Sequence, residues 1–210
     1  IVNVNDPEKT ITVSNIPISV TNESAITSRD MVYNVKSEQY LNITVSGKRS
    51  IVSNLSAEDF RATASLKELS KVNSIPVDVT TKNASLGRKI TIVKQSAQTI
   101  LVDVENVEEK DFTDLVVEYT GKVADGYVAG LSSMSTDEVT VKAPTSIIDK
   151  IKKVAVRCSL DGANTNISKK CPVILYDKND KEIKSDEIEL SDKKIRVNVN
   201  VLRAKQVPIS

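Results

Sequence analysis

Apolar residues fall at every second position over most of this chain: Ile16/Ile18/Val20, Ile43/Val45, Ile75/Val77/Val79, Ile100/Val102/Val104, Leu115/Val117/Tyr119, Val139/Val141, Val154/Val156/Cys158/Leu160, Val173/Leu175 and Ile195/Val197/Val199/Val201. A period of two places each set on one face of a strand, so these segments predict half-buried β-strands. Asn, Asp, Gly and Lys clusters separate them. Gly121-Lys122-Val123-Ala124-Asp125-Gly126 and Asp177-Lys178-Asn179-Asp180-Lys181 carry turn chemistry between alternating runs, which points to antiparallel sheet. Helical spacing is confined to two places. Pro144, read as the first helical residue, precedes Ile147, Ile148 and Ile151, and Ile51, Val52 and Leu55 repeat that spacing earlier in the chain.

The two helical stretches belong to a larger echo. Ile43-Thr44-Val45-Ser46-Gly47-Lys48-Arg49-Ser50-Ile51-Val52 is matched by Val139-Thr140-Val141-Lys142-Ala143-Pro144-Thr145-Ser146-Ile147-Ile148, so that Ser146 stands 96 positions after Ser50. Ala64-Ser65-Leu66 recurs as Cys158-Ser159-Leu160, Ile75-Pro76-Val77 as Cys171-Pro172-Val173, and Ile100-Leu101-Val102-Asp103-Val104 as Ile195-Arg196-Val197-Asn198-Val199. A period this long exceeds the roughly 20–50 residues of solenoid repeats, so each copy is expected to be a domain with its own core. The expected fold is mostly β: two tandem repeats of a small β-rich domain, each with one short helix. The expected division is a lead-in at 1–8, one domain at 9–104, a charged connector around Glu105-Asn106-Val107-Glu108-Glu109-Lys110, a second domain at 107–202, and a junction from 203 to 210. Val207-Pro208-Ile209-Ser210 echoes Ile16-Pro17-Ile18-Ser19, which implies a further repeat beyond the end of this sequence.

Composition narrows the chemistry. Twenty-nine basic residues against 28 acidic ones, well mixed, leave a net charge of +1 and no electrostatic footprint for a nucleic acid. Aromatic content of 3% with no Trp removes most stacking platforms. The absence of His deletes Ser-His and Cys-His nucleophile pairs and every imidazole metal site. With two Cys and six Gly the chain has neither a self-sufficient zinc site nor a glycine-rich phosphate loop, so no catalytic, cofactor-binding or metal-ligating residue is assigned. The expectation is a protein that is not an enzyme.

Asp177, Asn179 and Asp180 present closely spaced oxygens, but Lys181 interrupts a calcium-ligand pattern and a solvated hairpin turn is expected. Ser191 and Lys194 match an S-x-x-K spacing, yet they lead directly into a strand and read as a loop. Glu58-Asp59, Asp137-Glu138 and Asp186-Glu187 are adjacent carboxylates that an extended backbone turns to opposite faces. The sequons at Asn22, Asn42, Asn54, Asn83 and Asn166 are compatible with chance in a chain rich in Asn, Ser and Thr. Cys158 and Cys171 replace Ala64 and Ile75 of the first copy, which favours two buried free thiols; a cross-strand disulfide between them, closing about 14 residues, is the alternative.

The Ile-Pro-Ile run of Ile16 to Ile18, the turn from Val45 through Gly47 to Ser50-Ile51-Val52, the strand at Ala64-Ser65-Leu66, the Gly126-Tyr127 step and the hairpin at Tyr176-Asp177-Lys178-Asn179 together resemble tandem YbbR-like domains. The resemblance extends over essentially the whole chain, with Ala143 standing at the usual glycine position in the second copy. It implies a bacterial membrane-anchored protein with a single N-terminal transmembrane helix and this segment on the extracytoplasmic side. It also implies a regulatory role toward a membrane diadenylate cyclase, the enzyme that makes cyclic di-AMP, as the cyclase partner reached through the anchor. An extracytoplasmic protein or envelope ligand is the second expected partner, and nucleic acid is not one. A passive cell-envelope spacer or adhesin repeat is the alternative function.

Overall fold

The computed structural model describes residues 5–205, and the echo at Val207-Pro208-Ile209-Ser210 lies outside them. The chain divides between Glu105 and Asn106 into two units. In unit 1, β1 (Glu8–Thr21) is followed by a helical turn α1 (Ser24–Thr27), then β2 (Met31–Val35), β3 (Tyr40–Lys48), a second turn α2 (Arg49–Val52), β4 (Phe60–Ser65), β5 (Ser74–Pro76), β6 (Asp78–Thr81), a third turn α3 (Ala84–Gly87), β7 (Ile90–Gln95) and the first residues of β8 (Thr99–Phe112). Its main sheet has the order β6-β4-β1-β3-β7. Strand β1 serves two partners. Its residues Glu8 to Val13 run antiparallel to β3, the register shifts at Asn15, whose φ is 59°, and Ile18 to Thr21 run parallel to β4. Asn15 is suited to that left-handed position, and its N–H donates to Asn42 Oδ1 at 3.0 Å.

Unit 2 repeats this plan. Residues Val107 to Phe112 of β8 run antiparallel to β11 (Val139–Pro144), and a separate strand β9 (Val116–Thr120) runs parallel to β12 (Lys153–Ser159). Together they do what β1 does alone. β10 (Tyr127–Met134), the turn α4 (Thr145–Ile148), β13 (Ile167–Tyr176), the short β14 (Glu189–Leu190) and β15 (Lys194–Arg203) complete the unit, whose sheet has the order β10-β15-β13-β12-β9. The expected helix occupies the same place in both copies, α2 at Arg49–Val52 and α4 at Thr145–Ile148, with Pro144 as the residue before the first turn. Unit 1 adds α1 and α3, single turns without apolar periodicity. Asn83 starts α3 by accepting from Ser85 N–H at 2.8 Å.

The alternation read from the sequence is the alternation of burial. β15 follows the pattern exposed, buried, exposed, buried through Ile195, Val197, Val199 and Val201. Unit 1 closes over Ile16, Leu41, Ile43, Val45, Val52, Phe60, Ile75 and Ile100, and unit 2 over Val139, Val141, Val156, Cys158, Ile195, Val197 and Val199. The stretch from Glu105 to Lys110, expected as a charged connector, is strand: its backbone is part of β8, while Glu108, Glu109 and Lys110 are exposed on both faces. Among the described residues no helix is long and apolar enough to cross a membrane.

Candidate functional site

A connected polar network lies on the outer face of unit 2. Arg157 stands on β12 between Val156 and Cys158, both fully buried, so pleating turns its side chain to the opposite face of the sheet. Its register partner on β9 is Glu118. Arg157 Nε donates to Glu118 Oε1 at 3.3 Å, and Nη2 donates to the Tyr176 hydroxyl and to Glu182 Oε1, both at 2.6 Å. The Tyr176 hydroxyl donates in turn to Glu118 Oε2. Lys153 Nζ sits 4.4 Å from the centre of the Tyr176 ring and 2.9 Å from Asp180 Oδ1, and Lys184 Nζ is 3.3 Å from Glu182 Oε2.

The electrostatics follow from these contacts. Hydrogen bonding to Arg157, and then to Lys184, holds Glu182 below the usual carboxylate range. The Glu182 carboxylate and then the Tyr176 hydroxyl hold the Arg157 guanidinium above its ordinary value, while the Glu118 carboxylate, followed by burial, pushes the Tyr176 hydroxyl up. Every acid here faces a base. The network ties the edge strand β9, the inner strands β12 and β13, and the hairpin that follows β13, and such half-buried pairing contributes geometric specificity more than raw stability. Beside it lies a depression of about 420 Å³ lined by Val116, Val117, Glu118, Lys153, Ala155, Tyr176 and Asp180. The arrangement is a charged surface beside a depression with an apolar part formed by Val116, Val117 and Ala155.

The residues singled out from the sequence are placed as follows. Cys158 and Cys171 are both buried free thiols in the core of unit 2. Asp177 uses its carboxylate to accept the N–H groups of Asn179 and Lys181 at 2.8 and 3.0 Å, and Asp180 takes a φ of 56°, so the loop is a hairpin turn built by its own oxygens. Ser191 Oγ accepts from Thr140 N–H at 3.1 Å and donates to Asp192, whereas Lys194 begins β15. Asp59 accepts from Ser56 N–H at 2.8 Å and caps the turn Ala57–Asp59. All five sequon asparagines have structural hydrogen bonds: Asn22 to Ser65, Asn42 from Asn15, Asn54 to Ser50, Asn83 from Ser85 and Asn166 from Val201. Among the described residues no three His, Cys, Asp or Glu side chains converge as a metal site.

Sequence reasoning missed the Arg157 network, and the omission has a physical cause. Glu118, Arg157, Tyr176 and Glu182 are brought together by strand order and register, and each looks alone like an ordinary outward-facing residue of an alternating strand or turn. The one local signal is a charged residue at an outward position flanked on both sides by apolar ones, as at Val117-Glu118-Tyr119 and Val156-Arg157-Cys158.

Residues 113–201 match the family model described as YbbR-like protein. This stretch of unit 2 is similar to a YbbR-like domain. Among curated proteins the chain is similar to the CdaA regulatory protein CdaR of Bacillus subtilis (strain 168), with 27% identity over 202 residues, 91% of this chain and 41% of that protein. The chain thus spans about two fifths of the length of that relative. Among solved structures it is similar to a YbbR-like protein from Streptococcus pneumoniae TIGR4, with a TM-score of 0.47 and 18% identity, covering 96% of this chain and 99% of the other. A YbbR-like domain from Listeria monocytogenes is similar with a TM-score of 0.34 and 22% identity, over 46% of this chain and 92% of that one. The YbbR-like match begins at Thr113, just before β9, so the Arg157 network and both cysteines fall inside it.

Proposed function

We propose that this chain is the non-catalytic, extracytoplasmic part of a membrane-anchored regulator that controls a membrane diadenylate cyclase. The observation that carries the reading is the similarity to the CdaA regulatory protein CdaR, which extends through both units and not only the YbbR-like domain. Supporting it, the connected polar network of unit 2 is a charge-balanced tie between strands, which is suited to holding a recognition surface in one shape and lacks a general base or nucleophile poised for chemistry. Edge strands such as β9 and β10 offer backbone groups and side chains by which a protein or envelope component can be bound. Regulation across a bilayer then requires that an event at this segment shift the population of two arrangements of the anchor that differ in their effect on the cyclase.

The test uses the full-length protein in its own cell. Affinity purification from solubilised membranes is expected to bring down the diadenylate cyclase, and deletion of residues 5–205 is expected to change cyclic di-AMP levels while leaving the anchor in the membrane. Failure of both, with normal membrane insertion, overturns the regulatory reading and leaves a passive spacer. In parallel, ester and phosphate substrates are assayed with the wild type and Lys194→Met. A turnover that this substitution abolishes would show the chain to be an enzyme.

A further inference from the structure

We propose that Cys158 and Cys171 are a disulfide-forming pair that is joined while unit 2 folds and is then sealed in its core. The antiparallel pairing of β12 with β13 runs from Lys153↔Tyr176 to Val156↔Val173, and two residues beyond that last pair, on the same core-facing side of each strand, stand Cys158 and Cys171. The ladder of β12 with β13 ends before the two cysteines, yet the fold still brings the Cys158 thiol against that of Cys171, and a disulfide accepts Cα atoms roughly 4.4–6.8 Å apart. The pair sits where β13 changes partners: Ile167 to Pro172 pair with β15, and Val173 to Tyr176 with β12. A covalent link at that point would hold the two halves of the sheet together.

Two further observations favour this over simple hydrophobic filling. The chain has two cysteines, and the fold makes them neighbours. The first copy reaches the same architecture with Ala64 and Ile75, both buried at 0%, so packing alone does not call for sulfur at either place. Cys158 and Cys171 are 0% and 2% exposed, and burial, with the adjacent Cys158 thiol, pushes Cys171 up to about 12. In the folded unit both thiols are therefore shielded from solvent and Cys171 is held protonated, which makes the pair inert toward an external oxidant. Exchange belongs to the folding chain. There one thiolate attacks the sulfur–sulfur bond of a disulfide oxidant, giving a mixed disulfide and one released thiol. The second thiolate then attacks the protein sulfur of that mixed disulfide and releases the second thiol. The cysteine pair loses two electrons to the oxidant, and its two protons end on the released thiols.

The experiment is refolding of the urea-denatured 210-residue chain with oxidised and reduced glutathione as the redox couple. Expected are loss of both free thiols, a mass lighter by two hydrogens, a proteolytic fragment joining the Cys158 and Cys171 peptides, and a rise in the Tm of unit 2 on the order of ten degrees over the reduced protein. The double variant Cys158→Ala, Cys171→Ile restores the residues of the first copy, so it is expected to fold and to show no oxidant-dependent Tm. Two free thiols after oxidative refolding, a stable glutathione adduct at either cysteine, or a linked protein no more stable than the reduced one would each overturn the proposal. The mass and thiol readings on the unaltered chain decide the matter even if the double variant fails to fold.

Discussion

Exchanging glycine and alanine at one repeated position tests why the two units differ. Gly47 and Ala143 are equivalent residues of β3 and β11, and both face the core. In unit 1 the neighbouring strand passes directly over the position, Gly47 being paired with Ile90 of β7. A Cβ on Gly47 would lie 3.0 Å from the Lys89 carbonyl oxygen, 3.1 Å from Val52 Cγ1 and 3.3 Å from Ile90 Cγ2. One of these is backbone, so the strand itself has to move. In unit 2 the corresponding strand β14 pairs with Val141 and Lys142 and stops before reaching Ala143, which leaves room for a methyl group. Gly47→Ala is therefore expected to destabilise unit 1 by about 1–3 kcal/mol through overpacking. Ala143→Gly is expected to destabilise unit 2 by about 1.5 kcal/mol, from roughly 0.8 for a buried methyl and 0.5–1 for the added freedom of the unfolded chain. Hydrogen exchange read by mass spectrometry along a urea titration reports each unit separately, which a single global transition would not. A neutral or stabilising Gly47→Ala would refute the close approach of β7. A change confined to the unit not mutated would refute the division of the core.

Arg157→Met keeps the apolar stem but removes the donors shared by Glu118, Tyr176 and Glu182; faster exchange of the β9 amides Val116 to Thr120, with β15 unchanged, is expected, and unaltered β9 protection would contradict the tie. The Asp6 carboxylate accepts from Ser50 Oγ at 2.6 Å and Ser50 N–H at 2.9 Å, and these bonds hold it below its ordinary 3.8. Its contribution is thus fully present above 3.8 and lost as pH falls through the lowered value, so protection of α2 is expected to decline in that acid window in the wild type and to lose this dependence in Asp6→Asn. Tyr33 is pushed up to about 12 by burial and by its hydrogen bond to Glu23, so its stabilisation is complete below 10, the ordinary value, and lost as pH rises through about 12; ultraviolet titration is expected to show late ionisation from Tyr33 and Tyr176, of which the Tyr33 component is lost in Tyr33→Phe while that of Tyr176 stays. Phe60 is 2% exposed in the core of unit 1, and Phe60→Ala is expected to cost about 3–5 kcal/mol in the urea titration of that unit, leaving unit 2 unchanged.

Nine alternating runs, the repeat and much of the core were legible in the sequence by itself, because period-two burial and a 96-residue echo are local or self-comparing signals that need no knowledge of strand order; β2, β7, β10 and core members such as Leu41 and Phe60 were not. The sequence also located the helical turns α2 and α4, whose apolar spacing recurs in both copies. It did not reveal that Glu105 to Lys110 is strand, since a run of exposed charged side chains reads locally like a connector. It did not reveal the role of Asn15, which lets one continuous strand in unit 1 do the work of two in unit 2. The Arg157 network was decided by tertiary structure alone, and tertiary structure also decided that Cys158 and Cys171, whose pairing the sequence left as an alternative, lie together. Glu118 lies 39 residues from Arg157 and Glu182 lies 25, and nothing in a strand's own sequence specifies which neighbour it takes or in what register. Those follow from burying all the apolar faces of a unit at once, a condition imposed on the whole domain and written in no single segment of it.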